Sequence, residues 1–175
     1  PARAIVLPVP YEETTSYLKG TATGPEAILK ASYQIELFDE KLRQEVFKIG
    51  IHTLPFFVTT SSAEEFLKSL EAEAAVHLEK GKIPILLGGE HTITLGAVRA
   101  VKKYYPHLAV VQIDAHADLR DAYEENPYSH ACVMRRVLEN TGLFQLGVRS
   151  LSKEEAELIE ERKVITLFWH EMTNE

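Results

Sequence analysis

The chain of 175 residues is short of several things, and each shortage excludes something. It has one cysteine, Cys132, so no disulfide can close within it and a reducing compartment is its natural setting. Long apolar runs are missing: a clean one, Ile83–Leu87, is far too short to span a bilayer. The first residues carry neither the basic segment nor the long apolar segment of a secretion signal, so a cytoplasmic protein is expected. Basic residues are outnumbered, 19 against 26 acidic, for a net charge of −7. Nonspecific nucleic-acid binding relies on basic patches, so neither nucleic acid nor membrane is an expected partner. An acidic surface instead favours approach of a cationic small molecule. No linker, internal repeat or low-complexity segment divides the chain, and residues 1–175 read as one domain.

What is present is an alternation of short strands and longer helices. Arg3–Val9 reads as a strand and Pro10–Gly24 as a long loop. Thr23–Glu26 then starts a helix, with Pro25 near its first position, that runs to Ser32. Ile35–Phe38 and Val46–His52 read as short strands, the second a candidate for a sheet edge. Ala63–Lys80 is the clearest helix: Ala63, Phe66, Leu67, Leu70, Ala74 and Leu78 recur at threes and fours. Ser62 and Glu65 form a capping box at its start, and Gly81 ends it. Strand Ile83–Leu87, helix Thr92–Tyr105, strand Leu108–Ile113 and helix His130–Asn140 follow. Strand Leu143–Val148, helix Ser152–Arg162 with a second Ser-x-x-Glu box, and strand Val164–Phe168 come last. That rhythm predicts an α/β fold, a mostly parallel sheet with helices on both faces. Trp169–Glu175 offers no closing helix, although a parallel strand normally returns through another crossover. The ending therefore reads as the middle of a domain.

The chemistry gathers at Val110–Asp118. An apolar, β-branched run delivers Asp114, His116 and Asp118, spaced two apart. In an extended chain such residues point to one side, and the C-terminal ends of parallel strands are where α/β sheets place ligands. Two carboxylates and an imidazole suit a hard-to-borderline divalent cation; the plain alternative is a solvated loop in which Asp118 caps a helix. His91 adds to the cluster, because Gly88 and Gly89 allow a tight turn straight off the preceding strand. Alone it would be a helix-start histidine beside Glu90, an acid favoured by the helix dipole. His130, in Tyr128-Ser129-His130-Ala131-Cys132, is either a loop histidine without duty or a proton shuttle. Cys132 reads as a small buried residue, and Arg135-Arg136 as a surface or subunit contact. His52, His77, His107 and His170 have no partner motif and read as structural or surface residues.

Taken together, Gly88-Gly89-Glu90-His91-Thr92, Asp114-Ala115-His116-Ala117-Asp118 and Ser129-His130-Ala131 resemble the ureohydrolase family of arginases and agmatinases. Thr15-Ser16-Tyr17 and Gly20–Ile28 look like the agmatinase branch. The resemblance implies an arginase-like three-layer α/β/α fold and two Mn2+ ions per active site. It implies that His91 and Asp118 hold one manganese, His116 the other, and that Asp114 bridges them. The family pattern continues with an Asp-x-Asp motif and a Glu-Pro-Gly-Gly segment, and neither occurs in these residues. The expectation is thus a domain whose C-terminal part is missing, carrying four of six ligands. The resemblance also implies a trimeric or hexameric homo-oligomer.

A guanidinium carbon is resonance-stabilised and a poor electrophile, so its hydrolysis needs a strong nucleophile at neutral pH. Two metals roughly 3.5–4 Å apart supply one by holding water as hydroxide. Asp118 would accept or relay a proton, and His130 would assist transfer to or from the departing amine. Substrate choice falls to Leu119–Ser129, where arginases carry a polar Thr/Ser/Gly/Asn signature for the α-carboxylate and α-amine. Here the loop carries Asp121, Glu124 and Glu125 against Arg120, which suits doubly cationic agmatine, although the acids can also be merely solvated. Agmatine hydrolysis to putrescine and urea is the expected reaction. Guanidinobutyrate and arginine are the alternatives within the family, and a non-catalytic remnant with incomplete metal binding the alternative outside it. A zinc deacetylase-like hydrolase also uses Asp-x-His, but Gly-Gly-Glu-His and Ser-His-Ala argue against it.

Overall fold

A computed structural model describes residues 2–59 and 62–172. Backbone proximity divides the chain into two compact units, Pro1–Ala100 and Val101–Glu175. In the first, β1 (Ala4–Val9), α1 (Gly24–Ser32), β2 (Ile51–Thr53), α2 (Ala63–Leu78) and β3 (Ile83–Gly88) follow in order. The last helix, α3 (Ile93–Tyr104), carries the boundary within its own sequence. The strands pair in the order β2-β1-β3, all parallel, with β1 aligned on β3 from Ala4↔Ile83 to Val9↔Gly88. β1 is buried along nearly its whole length, as a central parallel strand covered on both faces should be. Phe66, Leu67, Leu70 and Ala74 are the buried stripe of α2, four of the six residues picked out by their spacing. Gly96 brings α3 against that stripe, where an added Cβ would lie 3.1 Å from Leu70.

Two of the expected strands change. Ile35–Phe38 runs instead as bends and irregular chain with exposed side chains, because β2 already occupies the free edge of β1. Within Val46–His52, a 3-10 turn spans Val46–Ile49 and ends at Gly50, whose φ of 81° breaks the extended run. Only Ile51–Thr53 pairs, at the sheet edge.

The second unit holds β4 (Ala109–Ile113), α4 (Val133–Leu138), β5 (Gly142–Val148), α5 (Lys153–Arg162), β6 (Ile165–Phe168) and α6 (Trp169–Met172). Its strands pair in the order β4-β5-β6, again all parallel. The expected helix from His130 opens as a 3-10 turn, His130–Cys132, before α4 begins. A single helical turn, α6, follows β6 where none was expected; residues 173–175 of that expectation lie outside the described residues. Both Ser-x-x-Glu boxes close as read, at Ser62–Glu65 and Ser152–Glu155. Ser152→Ala is accordingly expected to cost about 1 kcal/mol. Urea titration would show this as a lower midpoint at constant slope. The architecture is α/β, and among the described residues β1 to β6 all pair in parallel. Among the described residues no helix is long and apolar enough to cross a membrane.

Candidate metal centre

In the second unit the chain leaves β4 at Ile113 and is pinned over the next five residues. Asp114 N donates to Leu146 O at 3.1 Å, extending the ladder by one step. Arg149 N and Ser150 N both donate to Ala115 O at 2.9 Å, and Ala117 N donates to Ser150 O at 3.2 Å. The carbonyl of Asp118 accepts from Met134 N (3.0 Å) and Arg135 N (3.2 Å), amides at the start of α4 that have no partner inside their own helix. Glu155, buried in α5, reaches back so that its Oε1 accepts from Leu119 N at 2.8 Å. Its other oxygen accepts from Ser152 N at 2.7 Å, so one carboxylate caps a helix and fixes the residue after Asp118.

This framework brings Asp114 and Asp118 together, each offering a carboxylate oxygen within 4.8 Å of the other. Strand alternation does not achieve this, since the strand has already ended and Asp118 adopts a left-handed φ of 52°. Asp118 is 9% exposed. Asp114 Oδ1 accepts from His116 N at 2.9 Å, the local turn expected of aspartate. The His116 ring stays largely in solvent, with Nδ1 3.4 Å from Asp114 Oδ1. Two carboxylates this close repel each other, and a divalent cation between them removes the repulsion. An all-oxygen pair fits a hard cation such as manganese.

His130 is half-buried at the start of its 3-10 turn, edge-on to Tyr123 at 5.7 Å and with Nδ1 3.4 Å from Ser129 Oγ. Asp121 is engaged by Arg136 Nη2 at 2.6 Å, with Arg135 Nε at 4.0 Å. The hydrogen bond and charge of Arg136 hold the Asp121 carboxyl below the usual carboxylate range. The two arginines therefore serve the loop's own acid. Glu124 and Glu125 are exposed at the tip of a turn closed by Tyr123 and Asn126, both with positive φ.

In the first unit His91 sits just past β3, half-buried, its carbonyl accepting from Thr94 N at 3.0 Å. The turn before it depends on Gly89, where a Cβ would lie 2.1 Å from Tyr11 O. Glu90 was read only as a helix-dipole acid, yet it is a buried hub. Its Oε2 accepts from Glu13 N (2.8 Å) and Thr14 N (2.7 Å), its Oε1 from the hydroxyls of Thr14 and Thr92, each at 2.6 Å. The capping-box reading of Glu155 holds but leaves out its bond to Leu119 N, and Gln112 and Gln145 have no part in the sequence reading, although a lone glutamine inside each apolar strand is a visible signal. Cys132 is fully buried, and burial pushes its thiol up to about 11. Iodoacetamide at pH 8 should leave the native protein unmodified and label it once denatured, as mass spectrometry would show. Rapid native labelling would contradict the burial.

Comparison with known proteins follows the same lines. The sequence pattern of the arginase family matches residues 2–175. An N(1)-aminopropylagmatine ureohydrolase of Synechocystis sp. is 42% identical over 96% of this chain and 57% of its own length. An agmatinase of Bacillus anthracis is 34% identical over 91% of this chain and 57% of its own. Among solved structures, the agmatine ureohydrolase of Thermoplasma volcanium superposes with a TM-score of 0.90 at 34% identity, over 99% of this chain and 59% of that one. The chain thus spans less than two thirds of the length of these relatives.

Proposed function

Because the chain belongs to the arginase family, we propose that the protein is a manganese-dependent ureohydrolase converting agmatine and water to putrescine and urea. The observation that carries the reading is the pair of carboxylates, Asp114 and Asp118, held together by the loop after β4. By family resemblance His91 and His116 would join Asp114 and Asp118 in holding the metal. When bound, manganese supplies the Lewis acidity that makes hydroxide available near neutral pH. Asp118 takes up the proton that the attacking water releases. His130, half-buried with Ser129 beside its Nδ1, passes a proton to the departing amine. Asp121 is committed to Arg136, so the ammonium end of the substrate is assigned first to Glu124 and Glu125. Asp121 joins them only by giving up that arginine.

A second reading is favoured by the identity of 42% to a relative named for N(1)-aminopropylagmatine. That substrate carries the same guanidine with a longer cationic tail. Urea release from agmatine, N(1)-aminopropylagmatine, guanidinobutyrate and arginine, measured with added Mn2+, decides between them. Release from agmatine supports the first reading, preference for the aminopropyl compound the second, and no urea from any of the four overturns both.

A further inference from the structure

The second unit contains a polar row that the proposed reaction does not use. Gln112 on β4, Gln145 on β5 and Thr166 on β6 are register partners across three adjacent strands. Gln112 is 4% exposed and Gln145 is fully buried, while the apolar neighbours Val111 and Ile113 on β4 are 60% and 82% exposed. The strand therefore turns its amide inward and its aliphatic side chains outward, the reverse of ordinary burial. A buried primary amide is costly unless its hydrogen bonds are made, and an aliphatic side chain in its place would carry no such cost.

Here the bonds are made, and they lead to the metal loop. Gln145 Nε2 donates both to Gln112 Oε1 (2.6 Å) and to Ala117 O (2.8 Å). Its Oε1 accepts from Thr166 Oγ1 at 3.1 Å. Gln112 Nε2 donates to His116 O at 3.2 Å. The carbonyls of His116 and Ala117 belong to the backbone between Asp114 and Asp118, where one parallel bridge, His116 to Ser150, uses Ala115 O and Ala117 N and engages neither of these carbonyls. Amide hydrogens projecting from two neighbouring strands hold both carbonyls, and the first of the two peptides is held on its other side by Ala117 N donating to Ser150 O. The direction of the Ala117 carbonyl sets the peptide leading into Asp118, and so the left-handed turn that carries its carboxylate.

We propose that Gln145, seconded by Gln112, is a positioning residue that holds the His116–Ala117 peptides so that Asp114 and Asp118 meet at the distance a metal requires. This inference rests on the metal-centre reading above. Outer residues that orient ligands typically govern affinity by roughly 10–100-fold. Free Mn2+, followed by its EPR signal during titration of metal-stripped protein, gives affinity without reference to turnover. Gln145→Met is expected to weaken Mn2+ binding by roughly 10–100-fold. Thr166→Val removes a hydrogen bond from the same row without touching the loop, and is expected to lower the melting temperature and leave Mn2+ affinity unchanged. Wild-type affinity in a folded Gln145→Met protein, or equal weakening in both variants, overturns the positioning role alone. A wild-type protein that binds no Mn2+ overturns the metal-centre reading and this inference with it. If Gln145→Met does not fold, Gln112→Met, which removes the bond to the His116 carbonyl, is judged by the same criterion.

Discussion

Asp118→Asn is expected to fold like the wild type and to lose urea-forming activity by about 10²–10⁴-fold, the usual worth of a positioned general acid or base. The substitution is unusually clean at this position. Asp118 has a φ of 52°, a left-handed conformation that asparagine tolerates about as well as aspartate. Its carbonyl, not its side chain, accepts the two amides of α4, so the backbone anchor survives the change. What disappears is one of the two charges within 4.8 Å that a cation would bridge. Asp118→Ala would add backbone strain of roughly 1–2 kcal/mol and confuse the two effects. Melting temperature, bound manganese by elemental analysis and urea release from agmatine should be measured together. Unchanged melting with lost metal and lost urea is the expected result. Full activity in a folded Asp118→Asn protein would remove Asp118 from the chemistry.

How much of this was legible in the sequence depends on the range of the interactions involved. The helices with strong periodicity and a capping box, α2 and α5, form where the pattern places them, because caps and stripes are written within a few residues. Ile35–Phe38 was misread as a strand because a strand exists only with a partner, and β1 has one free edge, taken by Ile51–Thr53. The acids of the Asp-x-His-x-Asp run are recognisable in the sequence, but strand alternation is not what brings Asp114 and Asp118 together. Alternation along a strand cannot foresee a left-handed residue at Asp118, which is imposed by contacts from β5, α4 and α5. The supporting residues were harder still. Nothing near Gln112 in sequence indicates that its amide faces His116 O and is joined to Gln145, 33 residues away. Partnerships of that span are written in the fold and not in any local pattern.

Glu90 separates the local reading from the structural one most sharply. If it serves only as an acid at a helix start, its removal is worth about 0.3–1 kcal/mol. In the structure four donors converge on its two oxygens, tying the segment after β1 to the turn that presents His91. Two of those donors, Glu13 N and Thr14 N, are backbone amides that the chain cannot redirect. Leaving buried donors unsatisfied costs roughly 1–3 kcal/mol each, so Glu90→Ala should destabilise the protein by about 3 kcal/mol even with these groups half-buried. For a chain of this size that is a fall in melting temperature on the order of 10 °C. Glu90→Gln discriminates further. Its remaining carbonyl oxygen can keep the two backbone amides, while the hydroxyls of Thr14 and Thr92 rotate to accept from the new amide group. The glutamine variant should therefore lose only about 1 kcal/mol. A wide gap between the two variants identifies Glu90 as the hydrogen-bonded hub beneath His91. Equal losses below about 1 kcal/mol would return it to the role of a helix-start charge.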